Sequence, residues 1–212
     1  MKKKKGTCAI CGIVGPVTDD HLPPRGIFQK PRPVDLIKVK ACATCNGSTS
    51  KDDEAFKAFM GIVAGHTKEG ETALRKTVGR TLAVNNRMKT DLATAARAVW
   101  VKTPSGIGIR KAIAVPLDRN AHDRIVEKMI RGLHYHHTGV VLADKATVTV
   151  NLHAGLTRKL YEMAMQWNVR IVGKGLFVYR YLIPENQAYT SIWMFQFFNS
   201  AWSSGTVLPR AK

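Results

Sequence analysis

The chain has 212 residues, enough for one large domain or for a small module joined to a larger one, and its 45% apolar content supports a packed core and excludes a chain disordered throughout. Lysine and arginine number 33 against 15 aspartate and glutamate residues, which gives a net charge of +18 and an isoelectric point near 10.1. This excess favours a nucleic-acid partner, because phosphate contacts supply most non-specific affinity, over a merely soluble basic protein or one bound to an anionic membrane.

The first residues combine a lysine run with a short apolar run, a pattern that superficially resembles a signal peptide. The apolar run contains Cys8 and Cys11, and no small-residue cleavage signal precedes Asp19. No apolar stretch approaches the roughly 20 residues that cross a bilayer. We therefore expect a cytoplasmic protein with no membrane partner.

All four cysteines lie in two Cys-x-x-Cys pairs, Cys8 with Cys11 and Cys42 with Cys45. A disulfide scaffold would usually spread its bridges along the chain, whereas two such turns present four thiolates to one ion. The spacing predicts a structural zinc site. Residues 12–41 separate the pairs, which is long for a zinc ribbon, and this segment carries Asp20 and His21.

Residues 1–65 are predicted to form a small N-terminal module around these cysteines. Four prolines between 23 and 33 predict an extended loop, and residues 36–40 predict a short strand. A helix is expected to begin at Ser50, whose hydroxyl would cap its first turn. Its apolar face would consist of Phe56, Phe59, Met60 and Val63.

Residues 66–212 are predicted to form a helical segment and then a larger α+β domain with a mainly antiparallel sheet. Helices are expected at 71–84, 88–100, 120–133 and 157–166, and strands at 107–115, 140–142, 147–152, 169–172, 176–183, 191–198 and 205–208. The first two helices are basic and amphipathic, so their charged face contacts either DNA or solvent. We expect this domain to select substrate or to pair subunits in a homodimer.

The Asp20-His21 pair has the residue types that phosphodiester hydrolysis needs. A histidine with a pKa near the working pH can deprotonate the attacking water. Carboxylate and amide oxygens can hold Mg²⁺ or Mn²⁺, which stabilises charge on the leaving oxygen. An Asp-His pair alone often only caps a turn, but this one is bracketed by the cysteine pairs, and Asn46 directly follows the second pair.

These motifs, from Cys8 to Met60, resemble the HNH endonucleases, the ββα-metal family, and most closely the subgroup in which four cysteines hold a structural zinc. The resemblance implies that His21 is the general base and that Asp20 and Asn46 bind one catalytic Mg²⁺ or Mn²⁺. It also implies products with 5′ phosphate and 3′ hydroxyl ends. Where the family has an asparagine before the second cysteine pair, this chain has Asp35, which we expect either to support the loop or to hydrogen-bond to His21 and raise its basicity.

Several other side chains have two interpretations. Arg25 and Lys51 either hold the scissile phosphate or are ordinary surface residues. The histidines at 134, 136, 137 and 153 form a second metal site, cap a helix or face phosphate, and capping or phosphate contact is favoured because no cysteine or carboxylate lies nearby. Aromatic residues at 193, 195, 197 and 202 either stack on bases or form the core, and the alternation of the first three favours the core.

Together these features predict a DNA endonuclease with a single-metal, histidine general-base mechanism. The rival hypothesis is a non-catalytic, zinc-stabilised nucleic-acid-binding protein in which the Asp-His pair is incidental.

Overall fold

The structure is a computed structural model that describes residues 4–102, 108–114 and 118–210. Its strands are β1 (Lys4–Thr7), β2 (Val14–Leu22), β3 (Ile37–Cys42), β4 (Arg97–Lys102), β5 (Ile109–Ala114), β6 (Ala146–His153), β7 (Asn168–Val172), β8 (Phe177–Leu182), β9 (Ser191–Phe197) and β10 (Ala201–Pro209). Its α-helices are α1 (Ala43–Gly47), α2 (Ser50–Val63), α3 (Lys68–Ala73), α4 (Gly79–Val84), α5 (Asn86–Ala95), α6 (Arg119–Thr138) and α7 (Arg158–Met165). A 3₁₀ turn lies at Arg25–Ile27, and a π-helical turn joins α3 to α4 at Leu74–Val78.

The first sheet is antiparallel, with the strand order β1-β2-β3, and is followed directly by α1 and α2. In its register Asp20 lies opposite Val39 and His21 opposite Lys38. Leu22 and Val39 are buried on the face that packs into the interior. Helix α2 is held beside α6 by a bidentate ion pair, since Arg124 donates to both carboxylate oxygens of Asp52 at 2.7 and 2.8 Å.

The larger sheet contains five antiparallel strands in the order β6-β10-β9-β8-β7. Helix α6 packs across it, beginning where the Asp118 carboxylate accepts a hydrogen bond from the N–H of Ala121 and ending at Gly139, whose φ of +71° suits glycine. The predicted α+β architecture with an antiparallel sheet is confirmed. None of the described helices combines the length and apolarity needed to cross a bilayer.

Helix α6 lies between the two sheets, and glycines permit the close approach on both sides. A Cβ on Gly132 would lie 2.5 Å from Leu22 Cδ1 in the first sheet. A Cβ on Gly205 of the large sheet would lie 2.3 Å from Ile130 Cδ1 of α6. One hydrophobic cluster accordingly includes residues of both halves of the chain, such as Leu22, Ile130 and Trp193.

Two predicted elements are wrong. The helix expected over 88–100 ends at Ala95, and β4 pairs with β5 instead, because the run from Val99 to Val101 is β-branched and aromatic and therefore favours a strand. The segment 140–142 is a loop and not a strand, and Arg131 donates to the carbonyl of Ala143 just after it. The ends of the strand predicted over 107–115 lie outside the described residues.

Candidate metal centre and polar cleft

The four cysteines converge as their spacing predicts. Their Sγ atoms all lie within 4.8 Å of one another, and Cys11 Sγ is 3.9 Å from Cys42 Sγ. A tetrahedral ion with metal–sulfur bonds of about 2.3 Å requires sulfur–sulfur separations of about 3.8 Å, close to this value. Backbone hydrogen bonds fold the first turn, with the N–H of Gly12 donating to the carbonyl of Cys8 at 2.9 Å. The cluster can hold a metal ion.

The surroundings of the thiols differ from one cysteine to another. Burial acts to raise the pKa of Cys8, but hydrogen bonds from the backbone at Cys11, Cys42 and Ile10 outweigh it and lower that pKa to about 7. Burial raises the pKa of both Cys11 and Cys45. The surroundings of Cys8 thus favour the thiolate, which is the form that binds metal. At Cys11 and Cys45 the positive charge of a bound ion would stabilise the thiolate.

A polar cleft of about 370 Å³ is lined in part by Asn46, which directly follows Cys45 in the chain. The polar lining of the cleft consists of the His21 imidazole, the Asp20 and Asp53 carboxylates, the Asn46 amide, and the cationic side chains of Arg25, Arg32 and Lys128. His21 and Asp20 come from β2, Asn46 from α1, Asp53 from α2 and Lys128 from α6. The predicted catalytic set of Asp20, His21 and Asn46 is therefore brought together at one place.

His21 is partly buried on β2 at the cleft wall. Burial lowers its pKa, and the positive charges of Arg25 and Lys38 lower it further, while Asp20 and Asp19 act in the opposite direction. The net effect lowers the pKa of His21 below its usual value, which favours the neutral ring. A neutral ring can accept a proton from water.

Asp20 is buried, and its carboxylate forms an ion pair in which Lys128 Nζ lies 2.8 Å from Asp20 Oδ2. Both side chains are 10% exposed, so the pair is largely shielded from water. Lys128 Nζ also donates to Thr49 Oγ1 at 3.1 Å and to the carbonyl of Asn46 at 3.4 Å. A residue of α6, far along the chain, is thus part of the cleft.

The Asn46 side chain is fixed by its amide nitrogen, which donates to Thr18 Oγ1 at 2.9 Å and to the carbonyl of Asp19 at 3.4 Å. These bonds tie α1 to β2. Within the part of the chain that the structure describes, the amide oxygen of Asn46 accepts no hydrogen bond. The oxygen is therefore available as a ligand for a hard cation.

Of the two predicted phosphate contacts, Arg25 lines the cleft, whereas Lys51 does not. Lys51 is exposed and borders a separate groove between α2 and α5. The reason is helical geometry, because residues two apart point to opposite sides and Asp53 is the one that faces the cleft. Arg32, which the motif did not indicate, has a buried Nε with no hydrogen-bond partner among the described residues.

Asp35 does not hydrogen-bond to His21, contrary to that expectation. Both of its carboxylate oxygens accept a hydrogen bond from the N–H of Gly173, at 3.1 and 3.0 Å, in the turn between β7 and β8. The carboxylate supports the loop before β3, the other role expected of it, by anchoring that loop to the large sheet. The local motif could not indicate this contact, because Gly173 lies far from Asp35 in the sequence.

Asp53 was not predicted as a cleft residue, because a carboxylate in the first turn of a helix is explained by the helix dipole alone. Its Oδ1 atom is buried and has no hydrogen-bond partner among the described residues. Burial raises its pKa, Lys128 opposes this effect, and the negative charge of Asp20 adds to it. A signal was available, since Asp53 precedes the buried Phe56 and Met60 at helical spacing.

His134 and His137 of the C-terminal half are held by contacts within the protein. His134 is fully buried and contacts Ser191 Oγ and the carbonyl of Ala188, each at 3.0 Å. His137 contacts Tyr179 Oη at 3.0 Å and stacks on Tyr181. Neither the predicted capping nor a phosphate patch explains these two, whereas the predicted core role of Trp193, Phe195 and Phe197 is confirmed.

No family model matches the chain, and neither a curated protein nor a solved structure is significantly similar to it. The resemblance to the HNH endonucleases therefore remains a prediction from the motif.

Proposed function

We propose that the protein is a metal-dependent endonuclease that hydrolyses phosphodiester bonds of DNA in the polar cleft. One observation carries the proposal: the imidazole of His21 lines the same cleft as the side-chain oxygens of Asp20 and Asn46 and two arginines. These are the groups that activate water, hold a divalent cation and bind a phosphate.

The cleft residues divide the work by their chemistry. His21 accepts a proton from the attacking water, because its ring lines the cleft wall and its lowered pKa favours the neutral form. Arg25 and Arg32 bind the phosphate oxygens, and the Arg32 Nε without a partner is a donor available for that purpose. The net charge of +18 attracts the DNA over a longer range.

Asp20 and Asn46 would hold Mg²⁺ or Mn²⁺, and their oxygens suit these cations. A buried Asp53 oxygen without a partner, beside the negative charge of Asp20, is consistent with a cation at this place. When bound, the cation supplies positive charge that stabilises the departing 3′ oxygen. The protein's own residues position the phosphate and move the proton.

The cysteine cluster is proposed to hold zinc as a scaffold. Tetrahedral zinc suits four thiolates at the observed spacing and has no open position for chemistry when four cysteines bind it. The second cysteine pair is joined directly to Asn46, and β3 between the pairs is bonded to β2. Zinc would thereby fix the two strands and the helix that carry the catalytic set.

The rival function is a zinc-stabilised nucleic-acid-binding protein without activity. The ion pair between Lys128 and Asp20 favours it, because an ammonium group already neutralises the carboxylate that a catalytic cation would need. This alternative predicts binding that weakens with salt and yields no cleavage product.

The test is incubation of supercoiled plasmid and of single-stranded DNA with Mg²⁺, with Mn²⁺ and with no added divalent cation. We expect nicked or linear products only with the cation, with ends that a ligase rejoins because they carry 5′ phosphate and 3′ hydroxyl groups. DNA binding without cleavage under all three conditions would instead support the binding protein.

A further inference from the structure

The surroundings of Lys128 suggest more than a stabilising ion pair. Three oxygen atoms surround its ammonium nitrogen: Asp20 Oδ2 at 2.8 Å, Thr49 Oγ1 at 3.1 Å and the carbonyl of Asn46 at 3.4 Å. Thr49 and Asn46 accept hydrogen bonds from the ammonium group, whereas the contact with Asp20 Oδ2 is an ion pair. The ammonium group is therefore held within the cleft by these neighbours.

Lys128 also contacts both residues that are proposed to bind the catalytic cation. It touches the side chain of Asp20 and the backbone of Asn46, so one atom joins β2, α1 and α6. A lysine that is 9% exposed is unusual, because burying an ammonium group is costly unless it is paired. Replacement by an apolar residue would fill the volume but would remove this connection.

Two buried carboxylate oxygens beside Lys128 lack hydrogen-bond partners. Asp20 and Asp53 both line the cleft, and Asp20 Oδ2 and Asp53 Oδ1 accept no hydrogen bond from the described residues. Lys128 Nζ contacts Asp20 Oδ2, the oxygen to which a divalent cation would also bind. The ammonium group of Lys128 and a divalent cation bound to the same carboxylate would repel each other.

We propose that Lys128 is a positioning residue that acts as a resident cation: it holds Asp20 and Asn46 in place and must leave Asp20 Oδ2 when a divalent cation binds between Asp20 and Asp53. The inference rests on the proposed function, since it concerns the same cation site. It adds that Asp53 is a cation ligand and that Lys128 competes with the metal.

The experiment measures Mn²⁺ affinity by titration calorimetry on the zinc-loaded full chain, without nucleic acid. Lys128→Met keeps the length of the side chain and removes its charge, and Lys128→Arg is the matched control that keeps the charge. We expect Lys128→Met to bind Mn²⁺ at least tenfold more tightly than the wild type, and Lys128→Arg to differ by less than threefold. A role in stability alone would leave the Mn²⁺ affinity of a folded Lys128→Met protein unchanged, which would overturn the competition.

A second variant keeps the inference testable if Lys128→Met does not fold. Asp53→Asn leaves the pair between Lys128 and Asp20 intact and removes the second carboxylate. We expect its Mn²⁺ affinity to fall at least tenfold, and an unchanged affinity would overturn the proposed ligand. DNA cleavage is measured separately. If the Mn²⁺ affinities shift as expected but DNA is not cleaved, only the proposed function is refuted. If DNA is cleaved but the Mn²⁺ affinities do not shift, only this inference is refuted.

Discussion

Gly132 lies where α6 approaches the first sheet, and a side chain added there would meet the core. A Cβ added at Gly132 would lie 2.5 Å from Leu22 Cδ1, 3.3 Å from Ile10 Cδ1 and 3.4 Å from Val39 Cγ2. Leu22 is 1% exposed, so its side chain is enclosed by the core. Gly132→Ala must therefore displace either this leucine or the helix, which carries Lys128 one turn earlier on the same side.

Two opposing effects determine the size of the change. Alanine in the middle of a helix is favoured over glycine by about 1 kcal/mol. Overpacking a filled core costs about 1–3 kcal/mol. We therefore expect a net loss of about 0–2 kcal/mol in the free energy of unfolding, with most of the cost arising at one contact.

Combining Gly132→Ala with Leu22→Val isolates that contact, because valine lacks the δ carbons. Urea unfolding of the wild type, the two single variants and the double variant gives the coupling energy. We expect the double variant to be more stable than additivity predicts by about 1 kcal/mol or more. Additive effects, with Gly132→Ala more stable than the wild type by the full helical preference, would refute the packing described for α6.

Three further predictions concern the metal centre, a histidine and the loop before β3. Cys45→Ser should lower zinc affinity at least about 100-fold, because mutating even a residue that only supports a metal ligand lowers affinity about 10–100-fold. A chromogenic assay of zinc release measures the loss, and retention of one tightly bound zinc would contradict the four-cysteine site. Burial, together with the charges of His136, Arg170 and His134, lowers the pKa of His137 from 6.5 to about 4. Between these two pH values the unfolded chain binds more protons than the folded protein. The free energy of unfolding should therefore fall as the pH decreases from 6.5 to 4, and it should level off below pH 4. The loss should be about 1–2 kcal/mol after allowing for partial exposure, and His137→Gln should flatten this part of a pH series of urea unfolding curves, whereas an unchanged slope would disprove the assignment. Asp35→Ala should cost about 1 kcal/mol in thermal unfolding because it removes the acceptor for the N–H of Gly173, and Asp35→Asn, which keeps an acceptor, should cost less; equal losses would show that the hydrogen bond is not what matters.

Local features could be predicted from the sequence because their causes are local. Two Cys-x-x-Cys turns bring their own thiolates together, and the alternation of Trp193, Phe195 and Phe197 marks the buried side of one strand. The large sheet and the long helix followed from the same kind of periodicity. The helix predicted through Trp100 was wrong because strand pairing with a second segment outweighed local helical preference.

The cleft could be predicted only in part, because some of its residues meet through tertiary packing. Asp20, His21 and Asn46 belong to one motif, whereas Lys128 reaches them from α6 only because Gly132 lets that helix approach β2. A weak signal existed, since Lys128 shares a helical stripe with the buried Ala121, Ile125 and Gly132. No local pattern could have directed the Asp35 carboxylate to Gly173.

The measurement that tests the central claim most directly is the single-turnover rate of DNA cleavage by the wild type and by His21→Ala at saturating Mg²⁺. His136→Ala is the matched control, because His136 is exposed and lies outside the cleft. If His21 is the general base, its removal should slow cleavage by roughly 10²–10⁴-fold, while the control stays within twofold of the wild type. Equal rates for the wild type and His21→Ala would contradict the proposed active site.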